Sequence, residues 1–287
     1  MILTTKHKIF LASLAYRPIC TLRRISGKGP QGIFRRNSLL WELNLGEVID
    51  FMLYLTGSFE PSLNAFIGKH LKQGGIAIDV GANIGAHTLG MAQAVGQLGQ
   101  VHAIEATDYA FKKLERNIEL NPEIAQQIHP HHCMLLAETA TSDETAPVDA
   151  IHSSWPFDTT EHRHNKHQGV FKEIGDANKT TLDALIQDLG IERIDLIKID
   201  VDGNELDVLK GGQATFTKYQ PTIIMEVALD YHPAEAPKGF NNIYALLKSY
   251  GYRLHDLKGR PLPETTDGLK QIVPKGGSMN VLAKPFA

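Results

Sequence analysis

From residue 76 onward, short apolar runs alternate with stretches whose apolar positions recur every three or four residues. The runs at 76 to 80, 101 to 105 (VHAIE), 194 to 201 (IDLIKIDV) and 221 to 229 (PTIIMEVAL) read as buried strands, with a weaker one near 131 to 136. Between them the 3.6-residue pattern predicts helices over 84 to 95, 109 to 121 (ending before Pro122), 180 to 190 (Thr at its front, Gly at its back), 203 to 210 and 242 to 250. This order predicts a mostly parallel sheet with helices on both faces. Two closing strands near 252 to 257 and 279 to 283 have no helix between them, which predicts an antiparallel edge. Upstream, residues 43 to 75 read as two helical segments parted by Gly57-Ser58 and stopped by Gly74-Gly75. Residues 137 to 179 are the least regular part, and 141 to 179, with Trp155 and Phe157, read as a lid over a pocket or a surface loop.

The 287 residues, 43% of them apolar, suffice for one large domain with a small extension. The pattern divides the chain into an N-terminal arm (1–40), a helical lead-in (41–75) and an α/β domain (76–287). Charge sharpens the division. Residues 1 to 41 hold Lys6, Lys8, Arg17, Arg23, Arg24, Lys28, Arg35 and Arg36 and no acid, so the remaining 21 basic residues (29 − 8) face all 32 acids. With Ile9, Phe10, Leu14 and Leu22, such an arm could lie on an anionic membrane surface, pack on the main domain or stay exposed, and Pro18 interrupts its pattern. Residues 9 to 16 (IFLASLAY) read as helix rather than signal peptide, and no run is long enough to span a bilayer. The acidic remainder argues against a nucleic-acid partner. Two cysteines, Cys20 and Cys133, form no framework. The expected location is cytoplasmic, with peripheral membrane contact through the arm as the variant. Nothing in the pattern fixes an oligomeric state.

The candidate chemistry begins at IAIDVGANIGAHTL, residues 76 to 89. A carboxylate at a strand's end, Asp79, is followed by Gly81, Asn83 and Gly85. Gly81 permits a sharp turn, and Gly85 lets the next helix pack closely. About twenty residues on, Glu105 ends the next strand, where an acid can accept hydrogen bonds from both ribose hydroxyls. An adenosine-bearing ligand fits. The dinucleotide fingerprint is G-x-G-x-x-G, whereas the loop here is G-x-N-x-G. A pyrophosphate is also repelled by Asp79, while a ligand with an ammonium and a sulfonium is attracted. S-adenosylmethionine is therefore preferred to NAD.

The strand IDLIKIDV places Leu196, Lys198 and Asp200 on one face. Charges at the carboxyl end of a central strand suit a site in which Asp200 orients or deprotonates an acceptor hydroxyl and Lys198 tunes it. A self-neutralising buried pair of Lys198 with Asp200 or Glu226 is the alternative. Glu226, in IIMEV, should face the same crevice. Asp202-Gly203-Asn204-Glu205 has capping-box spacing, so Asp202 is as suited to an N-cap as to the site, and Glu205 to a structural role. Converging acids could hold a divalent cation, but no metal ligand is assigned. The histidines at 129, 131, 132, 152, 162, 164 and 167 lack zinc spacing and read as a solvated loop.

IDVGANIGAHTL, TTLDALIQDLGIERIDLIKIDVDGNELDVLKGG and PTIIMEV together resemble the FkbM-like family of S-adenosylmethionine-dependent methyltransferases, as does the lead-in WELNLGEVIDFMLYLTGSFEP. The resemblance covers about residues 40 to 285. It implies a class I, Rossmann-like methyltransferase fold with a seven-stranded sheet, and transfer to oxygen on a carbohydrate, polyketide or related metabolite. It carries the cofactor role onto Asp79, Gly81, Asn83, Gly85 and Glu105. Two positions depart from the family pattern: Asp202 stands where glutamate is usual, and AHT (86 to 88) where an aromatic often sits in the middle, so that His87 either alters the acceptor pocket or faces solvent. On this reading Asp200 and Glu226 are the candidate bases and Lys198 their electrostatic partner, acting on a small-molecule or glycan acceptor. The rivals are a nicotinamide-dependent oxidoreductase and a non-catalytic adenosyl-ligand binder.

Overall fold

The computed structural model describes residues 5–138, 150–157, 170–229 and 239–286. The chain opens with helix α1 (Thr5–Ile25), which runs through Pro18. An antiparallel hairpin follows, β1 (Gln31–Arg36) and β2 (Leu39–Asn44). The sequence reading had placed no strand before residue 76. In β2 the alternating Leu39, Trp41 and Leu43 are buried, the signature of a strand with one covered face. The lead-in forms the two expected helices, α2 (Val48–Thr56) and α3 (Pro61–His70), and Gly57 closes α2 at φ 77°.

The α/β domain then runs through β3 (Ile76–Val80), α4 (Thr88–Val95), β4 (Gln100–Glu105), α5 (Asp108–Glu119), α6 (Pro122–Ala125), β5 (Ile128–Leu135), β6 (Ala150–Ser154), β7 (Val170–Glu173), β8 (Asn178–Thr180) and α7 (Leu182–Asp188). It continues with β9 (Leu196–Ile199), α8 (Glu205–Lys210), α9 (Gln213–Tyr219), β10 (Thr222–Val227), α10 (Phe240–Ser249), β11 (Tyr252–His255), α11 (Thr266–Lys270) and β12 (Met279–Pro285). The main sheet has the order β11-β12-β10-β9-β3-β4-β5-β8. It is parallel from β10 through β8, and β12 and β11 form the expected antiparallel edge. It has eight strands rather than seven, because the three residues of β8 extend the β5 edge before Thr181 caps α7 by accepting from the Ala184 N–H at 3.1 Å.

Strand alternation divides the core in two. Ala77, Leu196 and Ile224 face a cluster with α2 to α6 and the hairpin, while Ile78, Val80, Ile197, Ile199 and Met225 face a cluster with α7 to α11. The order reverses between β3 and β9, and such a switch point opens a crevice at the carboxyl ends of the strands.

Three local expectations are corrected. Helix α4 begins at Thr88 rather than 84, because Asn83 (φ 49°) and Gly85 (φ 89°) hold the loop in the left-handed region for two further steps. Asp202 is not an N-cap: it lies at φ 49°, α8 begins after Asn204, and the backbone N–H groups of Val201 and Gly203 are taken by Glu205. His129, His131 and His132 lie on β5, not in a loop; the His102 ring stacks between His129 and His131, with centroids 5.0 and 5.4 Å away. His162, His164, His167 and most of the proposed lid fall outside the described residues. No described helix is long and apolar enough to cross a membrane.

Candidate functional site

A cavity of about 650 Å³ opens at the switch point. That is ample for a nucleoside-sized ligand with part of a second molecule. Its floor is the loop after β3. Gly81, Asn83 and Gly85 all have positive φ, so every second residue is left-handed. Asparagine is among the few non-glycine residues that adopt this conformation readily, so G-x-N-x-G supplies three such turns. At Gly81 the constraint is absolute: a Cβ would lie 1.9 Å from the Asp200 carbonyl oxygen of the neighbouring strand.

The loop spends its own donors. The N–H groups of Gly81 and Ala82 donate to Ile104 O, that of Asn83 to Glu105 Oε2, that of Ile84 to Asn83 Oδ1 and that of Gly85 to Ala82 O. A pyrophosphate needs such N–H groups free.

Glu105 ends β4, buried, and is oriented by Thr107, whose N–H and hydroxyl both donate to Oε1 at 2.8 and 2.7 Å, and by Asn83. Burial raises its pKa, and these hydrogen bonds oppose the rise. Oε1 thus accepts twice and Oε2 once, so Oε2 retains capacity for another donor.

Lys198 is buried and satisfied by oxygen: Asp79 Oδ1 at 3.2 Å, Gly81 O at 3.4 Å and Asp200 Oδ2 at 3.6 Å. Burial alone would lower its pKa, but Asp79 and Asp200 outweigh it and raise the value. Asp79 and Lys198 are register neighbours on β3 and β9, which brings them together. Asp79 also accepts from Thr88 Oγ1 at 2.7 Å and is fully buried.

The sequence candidates therefore separate. Gly81, Asn83, Glu105, Lys198, Asp200 and Glu226 line the cavity. Asp79 and Gly85 lie behind it: Asp79 holds Lys198, and Gly85 lets the loop pack on Leu89 and Leu114. Lys198 pairs with Asp79 and Asp200, the self-neutralising arrangement, but Asp200 still faces the cavity with a quarter of its side chain exposed. Asp202 lines it as well, and so do residues that sequence reasoning missed or left open: Glu60, His87, Ser278 and Asn280. Trp155 forms part of the wall, pinned by Glu47 Oε2, which accepts its N–H at 2.9 Å. Phe157 instead stacks on Tyr16, 4.4 Å between centroids, and packs α1 onto α2.

The wall is acidic. Glu60, Glu105, Asp200, Asp202 and Glu226 face one lysine that is already paired. Burial raises the pKa of Asp200, and burial with its acidic neighbours raises Asp202 well above the carboxylate range. Burial, then Asp200 and Glu60, push Glu226 up to about 8, against a hydrogen bond from Ser278. Among the described residues no group of three His, Cys, Asp or Glu side chains is placed to hold a metal ion.

Glu226 predicts a pH dependence. Its folded pKa, about 8, exceeds the ordinary 4.5, so the folded state holds a proton that the unfolded chain releases. Stability is undiminished below about pH 4.5, falls as pH rises through that window and levels off above about 8. Asp200 and Asp202 act in the same direction, and His87, whose pKa burial lowers, acts oppositely below its ordinary value. Glu226→Gln removes one component, so its melting temperature relative to the parent should climb steadily from pH 5 to about 8. A constant difference would refute the raised pKa.

Several solved structures are similar to the chain. They include the methyltransferase FkbM of Methylobacillus flagellatus (17% identity, TM-score 0.44, covering 73% of this chain and 43% of that one). Others are TYW2 of M. jannaschii in complex with AdoMet (14%, 0.43, 90% and 86%) and a SAM-dependent O-methyltransferase of Thermotoga maritima (15%, 0.43, 93% and 82%). The chain thus spans less than half the length of the M. flagellatus protein. No curated protein matches it. The Methyltransferase FkbM domain matches residues 79–254, from the carboxylate behind the glycine loop to β11. With most of its length inside that match, and its sheet order and crevice as described, the chain belongs to the FkbM methyltransferase family and has the class I methyltransferase fold.

Proposed function

We propose that the protein transfers a methyl group from S-adenosylmethionine to a hydroxyl oxygen of a small-molecule or glycan acceptor. The observation that carries this reading is the cavity's charge combined with its spent loop. Five wall carboxyl groups, whose mutual repulsion and burial raise several of their pKa values, face one paired lysine, and a ligand bearing a sulfonium and an ammonium would draw them toward the charged form. The N–H groups of residues 81 to 85 are unavailable to a pyrophosphate, which disfavours NAD. Glu105, fixed by Thr107 and Asn83, is suited to accept from a ribose hydroxyl through Oε2, with Gly81 and Asn83 forming the floor beneath.

S-adenosylmethionine supplies an already electrophilic methyl carbon. The protein's task is alignment, exclusion of water and management of one proton. Bound in the cavity, S-adenosylmethionine would give its methyl to the acceptor oxygen and leave as a neutral thioether, and Asp200 would take the hydroxyl proton. Lys198, 3.6 Å from Asp200 Oδ2, opposes the rise that burial imposes on the Asp200 pKa and so favours the carboxylate form that takes the proton. Glu226 is the second candidate for the same task. Apolar side chains of α2, Ile49 and Met52, together with Trp155, cover the cavity and keep it dry.

Calorimetric titration with S-adenosylmethionine and, separately, with NAD tests the reading. Micromolar binding of the former alone is expected, and binding of NAD alone would overturn the proposal. Tight binding of S-adenosylmethionine with no transfer to any of a broad set of glycans and hydroxylated metabolites would favour a non-catalytic binder.

The arm supports a second, separate element of the reading, peripheral contact with an anionic membrane from the cytoplasmic side. Helix α1 packs Ala12 and Tyr16 inward but exposes Phe10, Leu14, Leu22 and Ile25 along one face, beside Arg17 and Arg24. The intact protein should sediment with phosphatidylserine vesicles and not with neutral ones, and lose this on deletion of residues 1 to 36. Equal behaviour with both vesicles would dismiss it.

A further inference from the structure

The cavity wall contains a group that the steps above do not use. His87 is 4% exposed and lines the cavity. Its Nδ1 lies 2.8 Å from Asn64 Oδ1. The orientation of Asn64 is fixed independently, since its Nδ2 donates to Ser58 Oγ at 2.7 Å and to Phe59 O at 2.8 Å. Asn64 Oδ1 is therefore the acceptor, and His87 Nδ1 carries the proton. That leaves Nε2 with a lone pair, buried and without a hydrogen-bond partner. The group facing it is Glu60 Oε2, at 3.7 Å, too far for a hydrogen bond and itself an acceptor, already receiving Asn280 Nδ2 at 3.1 Å. Asn280 stands opposite Glu226 in the β10–β12 register.

Two hydrogen-bond acceptors 3.7 Å apart, one buried and one partly so, repel unless a donor bridges them. Protonation of His87 would relieve this, but burial and the charge of Lys198 hold the imidazole neutral. The backbone reinforces the arrangement. Glu60 is a non-glycine residue at φ 52°, held there as the residue before Pro61 opens α3. The three groups, Glu60, His87 and Asn280, come from three places in the chain: the α2–α3 turn, the end of the glycine loop and the antiparallel strand β12.

We propose that His87 Nε2, with Glu60, Glu226 and Asn280, forms the acceptor subsite, in which His87 is a specificity residue accepting a hydrogen bond from an acceptor hydroxyl. The subsite selects a group that donates hydrogen bonds and repels an anionic one. The inference rests on the methyl-transfer reading above, because it places the subsite beside the methyl that leaves.

The probes are S-adenosylhomocysteine, which lacks the methyl, and sinefungin, in which an amine-bearing carbon replaces the methyl sulfonium and donates hydrogen bonds toward the acceptor side. Sinefungin should bind at least about ten-fold more tightly, the scale of one charge-assisted hydrogen bond. His87→Phe should remove most of that preference while leaving S-adenosylhomocysteine affinity within about two-fold. His87→Gln, which can return a carbonyl oxygen to the position of Nε2, should restore part of it. Glu60→Gln should weaken sinefungin selectively, and it answers the same question if the Phe variant fails to fold. Inorganic phosphate should not bind the complex with S-adenosylhomocysteine. If neither cofactor analogue binds, the methyl-transfer reading itself fails. If S-adenosylhomocysteine binds but sinefungin gains nothing, or the His87 and Glu60 variants weaken both probes equally, the acceptor subsite is wrong. Phosphate binding that depends on His87 would also overturn it.

Discussion

Replacing Lys198 by Met destabilises the protein by about 3–5 kcal/mol, the usual cost of removing one member of a buried ion pair. The ammonium lies 3.2 Å from Asp79 Oδ1, and Asp79 is fully buried with Thr88 Oγ1 as its other side-chain partner. The methionine fills most of the volume, so the loss is electrostatic rather than a cavity effect. Asp79 is left charged in a low-dielectric interior, or must take up a proton to fold. Removing both charges together avoids this, so Lys198→Met with Asp79→Asn should recover most of the lost stability. Denaturant unfolding of the four proteins measures the coupling directly. A single Lys198→Met variant within about 1 kcal/mol of the parent would show that the pair is not structural.

That prediction could be framed largely from the sequence, and the reason is physical. A central parallel strand is covered on both faces, so any charge within it stands out. Lys198 and Asp200 in IDLIKIDV were visible for this reason, and Glu226 in IIMEV likewise. The loop after β3 was visible because three positive-φ positions demand glycine or asparagine at alternate residues. The division of labour was not legible. Asp79 reads as a ligand contact in the sequence, yet the register of β3 against β9 turns it toward Lys198, behind the wall. Asp202 reads equally well as a cap, and what excludes that is its backbone at φ 49° with α8 beginning only after Asn204.

The acceptor end was the least legible. Glu60, His87, Ser278 and Asn280 come from a turn, a loop end, the residue before β12 and β12 itself. No periodicity connects them, because their proximity is created by the sheet order β12-β10-β9-β3. His87 carried one weak signal, a histidine where the family often has an aromatic residue. The hairpin was missed for a different reason. Its buried alternation, Leu39, Trp41 and Leu43, occupies only β2, while β1 alternates between exposed and half-buried positions and carries two arginines. Such a ribbon is covered by its neighbours rather than by its own composition.

Replacing Asp200 by Asn should lower turnover about 10²–10⁴-fold, the range a positioned general base contributes, once transfer to an acceptor is established. The change keeps size and hydrogen-bonding shape but removes the proton acceptor. It also removes one of the two carboxylates that hold Lys198, although the closer one, Asp79, remains. Stability should therefore change far less than in Lys198→Met, and affinity for S-adenosylmethionine should fall only modestly, since Glu60 and Glu105 remain in the wall and a bound cation would draw Asp202 and Glu226 toward the charged form. The signature is a loss in kcat that KM for S-adenosylmethionine does not share. Glu226→Gln provides the contrast. Its carboxyl, pushed up to about 8, is largely protonated at neutral pH and a poor proton acceptor there. It should cost less turnover than Asp200→Asn at neutral pH, with the gap between the two narrowing toward pH 8 as the parent Glu226 ionises. Unchanged turnover in Asp200→Asn would remove Asp200 from the chemistry. If Glu226→Gln alone were inactive, the proton would have to leave through the β10–β12 side of the cavity, and Lys198 would serve only to hold the sheet together.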